Sequence, residues 1–180
     1  MKEFIEEAAQ WCRGRNWIYR APLIAYFAYV FVRHLLDPLY GSIIGGLNLG
    51  IHELGHLVFG FLGQTISVAG GTIAQLGVPI FAIFNFYWQR DYFAIALSFG
   101  WLSTNFFNIA TYVADARAQS LALVSIGGGP ACHDWEYMLG RMNMLSFDTA
   151  IAGIIRALAV LSMLVCLIAG VWLLRQMAKK

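Results

Sequence analysis

Charge is scarce in this chain. Only 12% of its 180 residues are charged, about half the share usual in a soluble domain. The charges also leave long gaps. Residues 92–114 and 157–174 contain no Asp, Glu, Lys, Arg or His, and residues 38–89 contain three: His52, Glu53 and His56. Apolar runs of about 18 or more residues have the length of a bilayer-crossing helix, and they exclude an ordinary soluble domain. Long basic tracts are lacking, and a net charge of +2 excludes nucleic acid as a partner. Cysteine is scarce too: Cys12, Cys132 and Cys166 stand at unrelated spacings, which excludes a disulfide framework. The first residues are acidic and no small-residue cleavage pattern follows the first apolar run, so no cleavable signal peptide is expected.

What remains reads as an all-α polytopic membrane protein, a single domain over 1–180 with about five or six transmembrane helices in a lipid bilayer. Residues 1–16 put Phe4, Ile5, Ala8, Trp11 and Cys12 on one helical face and charges on the other, the pattern of an interfacial amphipathic helix. Apolar spans are expected over 17–36, 42–63, 76–89, 92–113 and 150–174. In the first, Arg20 and Arg33 must snorkel outward, and His34 reads as interfacial. Residues 64–77 carry β-branched pairs around Gly70–Gly71 and read as a short β-hairpin or re-entrant segment. Residues 114–149 form a polar loop with a short helix starting near Asp134. Arg13, Arg15, Arg20, Arg175, Lys179 and Lys180 gather at the two ends of the chain. By the positive-inside rule both termini are expected to be cytoplasmic, with an even number of crossings.

The segment His52-Glu53-Leu54-Gly55-His56 matches H-E-x-x-H. Positions i and i+4 of a helix share a face, so both imidazoles can point at one metal ion, with Glu53 placed to act as general base. Zinc, one ion per chain, suits this set, since catalytic zinc takes three protein ligands and leaves one position open. Each charged group at the bilayer centre costs on the order of 2.5–3.5 kcal/mol, so three such residues within five positions argue for function over packing. The third ligand must come from elsewhere, and the polar segment supplies it: His133 first, then Asp134, then Asp115, with Cys132 and Glu136 behind. Each has a structural alternative: His133 as a loop histidine, Asp134 as a helix N-cap, Asp115 as an ion-pair partner of Arg117. Asn105 and Asn108, three apart on one helical face, are candidates to contact the developing oxyanion or the substrate.

The stretch "GIHELGHLVFGFLG" resembles the motif helix of the site-2 protease family, the intramembrane zinc metalloproteases. In that family a short β-like segment follows the motif, and "QTISVAGGTIAQ" stands where it would. The family takes its third ligand from an aspartate in an N-x-x-P…L-D-G pattern. "FNIATYVADAR" is similar, with Asn108 for the asparagine and Asp115 for the aspartate, although Thr111 replaces the proline and Ala116 the glycine. The resemblance covers roughly 41–150 and promotes Asp115, whereas the residue chemistry promotes His133. It implies hydrolysis of peptide bonds in transmembrane or membrane-proximal substrates. An exposed strand at Thr65–Ser67 or Thr72–Ala74 would hold the unwound substrate by strand addition. Two other functions fit the same residues: a non-proteolytic metal-binding scaffold or sensor, and a zinc hydrolase acting on a lipid-like substrate. Monomer and homodimer are both open.

Overall fold

The computed structural model describes residues 2–123 and 133–179, and among these there is no strand. Helix α1 (Lys2–Trp11) is short and amphipathic, and α2 (Ala21–Leu36) follows with a proline in its first turn. That helix stops where it must: Asp37 precedes Pro38, which disfavours the helical conformation, and Asp37 is extended at φ −137°. Then come α3 (Gly45–Phe59) and α4 (Gln64–Trp88), separated by Gly63 at φ 91°, a conformation open to glycine. The chain continues through α5 (Tyr92–Ala114), α6 (Asp134–Arg141) and α7 (Asp148–Ala178).

Among the described residues three segments are long and apolar enough to cross a membrane by themselves, Gln64–Trp88, Tyr92–Ala114 and Leu145–Ala178, so the expected five or six spans are not confirmed. The expected hairpin or re-entrant segment at 64–77 is instead the first half of α4, and the expected third span 76–89 is its second half. The reason lies in its small residues. Gly70 and Gly71 face α3 and let two helix backbones approach closely; a Cβ at Gly55 would sit 2.7 Å from that of Ala74. Where lipid surrounds the helices, small residues serve such packing as readily as they serve turns. The strand candidates Thr65–Ser67 and Thr72–Ala74 are therefore helical, with no free strand edge to offer.

Helix α5 is the central post and α7 runs antiparallel along it. Ser103 donates to the Ala159 carbonyl and Ser162 to the Phe99 carbonyl, both at 2.7 Å. Helix α2 runs parallel to α5, with Phe27 against Gly100 and His34 stacked on Phe107 at 4.7 Å. So His34 is buried, not interfacial: its flat ring finds an aromatic face within the bundle. Ala8, Cys12, Ile24, Phe93, Leu173 and Met177 form one core cluster, which brings the two ends of the chain to the same end of the bundle.

Helix α3 is placed differently from the others. Its first turn lies beside the middle of α5, through Asn48 to Thr104 and Asn108, and its later turns lie beside the end of α5 and the start of α4. Since Thr111 near the end of α5 bonds the Pro38 carbonyl, residues 38–44 must run back into the bundle before α3 rises out again. The motif helix thus starts beside the middle of α5 and runs toward its end.

At the opposite end from the termini, Arg117 grips Asp148 at the start of α7, with Nε donating at 2.8 Å and Nη2 lying 2.7 Å from the other oxygen. Arg117 therefore pairs with Asp148, not with Asp115. The Asp148 carboxylate is 1% exposed, and Arg117→Ala would leave it only the backbone N–H groups of Thr149 and of residue 117. A loss of about 2 kcal/mol is expected, read as a fall of about 4–8 °C in the detergent melting temperature.

Candidate metal centre

His52 and His56 lie one turn apart on α3, ring centroids 4.7 Å apart, and both face α4 and the start of α6. The outer nitrogen of each is tied down. His52 Nδ1 lies 3.0 Å from Gln75 Oε1, and His56 Nδ1 lies 2.8 Å from the Ser67 carbonyl oxygen. Both partners are oxygens that only accept, so each ring carries a proton on Nδ1 and donates it outward. Each Nε2 then points inward, the orientation that partners of metal-binding histidines impose.

Between the two inner nitrogens stands Asp134. Its Oδ2 is 2.9 Å from His52 Nε2 and 3.2 Å from His56 Nε2. Burial pushes this carboxyl up, but the two histidines outweigh that effect and hold it below the usual carboxylate range. Of the four third-ligand candidates among the described residues, then, Asp134 is the one that meets the motif pair. His133, ranked first on sequence, turns away: its Nδ1 caps the helix by accepting from the Glu136 N–H at 3.2 Å, and its Nε2 lies 3.5 Å from Asp115. The N-cap of α6 is therefore His133, one residue before the position expected, which frees Asp134 for the histidines. Asp115 is occupied by Ser120 and Leu121. Burial raises its carboxyl, but the Ser120 hydroxyl and the backbone N–H groups of Leu121 and Ser120 prevail and hold it low. Glu136 lies within the first turn of α6, and Cys132 lies outside the described residues.

Does the donor set fit a metal? His52, Glu53 and His56 offer ligand atoms within 4.8 Å of one another. Tetrahedral zinc with bonds of about 2.0–2.1 Å separates its ligand atoms by about 3.3 Å, close to the two Asp134 distances. Proton counting agrees. With Nδ1 protonated, hydrogen bonds from both Nε2 atoms to Asp134 would need two imidazolium cations in one buried site. One divalent cation replaces those two protons. There is also room for it. A Cβ at Gly71 would come within 2.6 Å of His52 Nε2 and 2.7 Å of His56 Nε2, so the glycine leaves open the space that an ion between the rings needs. Gly71, Gln75 and Tyr112 were not among the site residues expected from sequence, and Ser67 was expected only within the substrate-holding strand Thr65–Ser67. Gln75 alone had a signal, as an isolated amide in an apolar run.

A cavity of about 730 Å³ opens on this centre, lined by Glu53, His52, His56, Asn108, Tyr112 and Asp134, with apolar walls from Leu39, Leu49 and Leu121–Leu123. Glu53 is buried at the cavity wall. Asn48, 1% exposed, donates to Thr104 and Asn108 and accepts from Trp101, which pins α3 to α5 one turn before His52. Because Asn108 uses its oxygen for Asn48, its Nδ2 is the end left for a cavity occupant. Asn105 is fully buried, donates to the Trp101 carbonyl and does not line the cavity, so the expected oxyanion role does not extend to it.

Among the described residues, fold and site together are all-helical, with three helices long and apolar enough to cross a membrane and a His-Glu-His cluster that could hold a metal ion. No known protein family, curated protein or solved structure matches the chain.

Proposed function

We propose that this chain is a membrane-embedded, zinc-dependent endopeptidase that hydrolyses peptide bonds of transmembrane or membrane-proximal proteins, as its resemblance to the site-2 proteases implies. The observation that carries the reading is the convergence of two Nε2 atoms and one carboxylate oxygen, with the outer nitrogens tied off and Gly71 opposite.

His52, His56 and Asp134 would hold the zinc. When bound, zinc supplies a Lewis acid and makes a water molecule acidic enough to react near neutral pH. Glu53, next to the first ligand and on the cavity wall, takes the proton of the attacking water and returns it to the departing amine. Asn108 donates its amide hydrogens to a carbonyl of the bound segment. That segment enters unwound, because a helix keeps its carbonyls in i to i−4 hydrogen bonds. The apolar walls suit the side chains of a membrane segment.

The topology proposed with this function has four crossings, α2, α4, α5 and α7, with α3 re-entrant and both termini cytoplasmic. Helix α2, at 16 residues, spans about 24 Å and relies on Arg20 and Arg33 reaching the interfaces. Re-entrant backbone is tolerated at membrane depth where it lines a water-filled cavity, and Pro38, Leu39, Tyr40, Gly41 and Gly45 line the cavity at this site. A metal at that depth is the reason for polar residues there.

Elemental analysis of detergent-purified protein tests the base of this reading. About one zinc per chain is expected in wild type and almost none in His56→Ala, since losing one of three ligands removes most of the affinity. Well-folded wild type without zinc or another transition metal would refute it.

A further inference from the structure

Asp115 and His133 each had a claim to the metal, and neither reaches it. They reach each other. His133 Nδ1 accepts the Glu136 N–H, so it carries no proton, and the neutral ring has its proton on Nε2. That Nε2 is buried, has no hydrogen-bond partner among the described residues, and lies 3.5 Å from Asp115 Oδ2. The distance is too long for a good hydrogen bond, but a buried N–H dipole facing a buried carboxylate is attracted strongly. The His133 ring also lies on Tyr112, centroids 4.3 Å apart, and the Tyr112 hydroxyl accepts the Asp134 N–H at 3.0 Å.

These contacts converge on the backbone that carries Asp134. Helix α6 has eight residues, too few to be stable alone; Leu139 seats its body against Ile109 and Val113 of α5 and Ala152 of α7, and its start needs a hold of its own. Asp115 supplies that hold from the end of α5. The same carboxylate accepts from Ser120 N (2.9 Å), Ser120 Oγ (2.6 Å) and Leu121 N (3.0 Å), which secures the cavity wall at 121–123.

We propose that Asp115 and His133 form a clamp of two positioning residues, which sets α6 so that Asp134 meets His52 and His56 and ties that ligand to the cavity wall. Neither is itself a ligand. The inference rests on reading His52, His56 and Asp134 as a metal site.

Cobalt(II) is the probe, since its visible absorption reports its ligand set, and affinity is read by competition with a chelator on the full chain in detergent. His133→Asn keeps an oxygen to cap α6 but is too short to reach Asp115. Asp115→Asn keeps the shape and removes the charge. Each is expected to weaken cobalt binding ~10–100-fold while the saturated spectrum keeps its shape. The double variant should bind no worse than the weaker single, because both act through one contact. Asp134→Ala, by contrast, should change the spectrum. An Asp115→Asn spectrum altered like that of Asp134→Ala would make Asp115 a ligand and overturn the clamp, as would affinity within twofold of wild type in both single variants. A readout that needs neither variant nor metal is the nitrogen NMR of His133 in the metal-free wild type at neutral pH. It should show a proton on Nε2, the nitrogen beside Asp115, and a bare Nε2 overturns the clamp. Wild type that takes up no metal while His133 shows this tautomer would bring down the metal-centre reading, and the positioning role with it. Wild type that binds metal with the other tautomer would remove the clamp alone.

Discussion

Gly71→Ala is expected to leave a folded helical protein without its metal. The added methyl would lie 2.6–2.7 Å from both inner histidine nitrogens, inside the space an ion needs. Retreat of helix α4 would give up the close packing of Gly70 on the Gly55 carbonyl and Phe59 of α3, where a Cβ would lie 2.8 Å from both. The alternative is for the imidazoles to swing away, and their Nδ1 bonds to Gln75 and Ser67 resist that. Zinc per chain should fall from about one to near zero. Helix content by circular dichroism should hold, since alanine favours a helix over glycine by about 1 kcal/mol. Gly77→Ala is the control: it lies on the same helix, and its Cβ would meet nothing within 4 Å. Full zinc occupancy in Gly71→Ala would mean that the metal does not sit between the two rings.

The second large effect separates binding from chemistry. Glu53→Gln keeps the size and the polar end of the side chain but cannot take a proton. Zinc content should stay at about one per chain, while cleavage of a quenched fluorescent transmembrane peptide in detergent should drop ~10²–10⁴-fold, the usual contribution of a general base. A metal-binding scaffold or sensor would keep its function in this variant. A lipid hydrolase would lose turnover on lipid with no peptide cleavage in wild type to begin with. Cleavage unchanged in Glu53→Gln would remove Glu53 from the mechanism.

The two halves of the site differed in how legible they were. His52, Glu53 and His56 were readable because their meeting is local: the helical repeat puts i and i+4 on one face, and the apolar surroundings make three polar residues conspicuous. The third position was not readable. His133, Asp134 and Asp115 are all plausible donors, and the choice among them depends on which residue caps α6. The cap went to His133, through a ring nitrogen accepting from Glu136, and that single register decision turned Asp134 toward the histidines. Residues 64–77 misled for a related reason. Paired glycines and β-branched residues signal a turn in water, where glycine exposes backbone to solvent. Here Gly55, Gly70 and Gly71 meet at a helix–helix contact, and nothing in the local sequence distinguishes the two uses.

By itself, the sequence determined the helical class, the apolar segments and the motif helix with its two histidines and glutamate, because chain-local periodicity and the cost of burying charge act without regard to the rest of the fold. Only the tertiary structure decided that α3 starts beside the middle of α5, that Gly71 opens the space between the rings, and that Asp134 and not Asp115 or His133 faces them. Those outcomes depend on pairs of residues 15 to 82 positions apart, brought together by helix packing that no local pattern records.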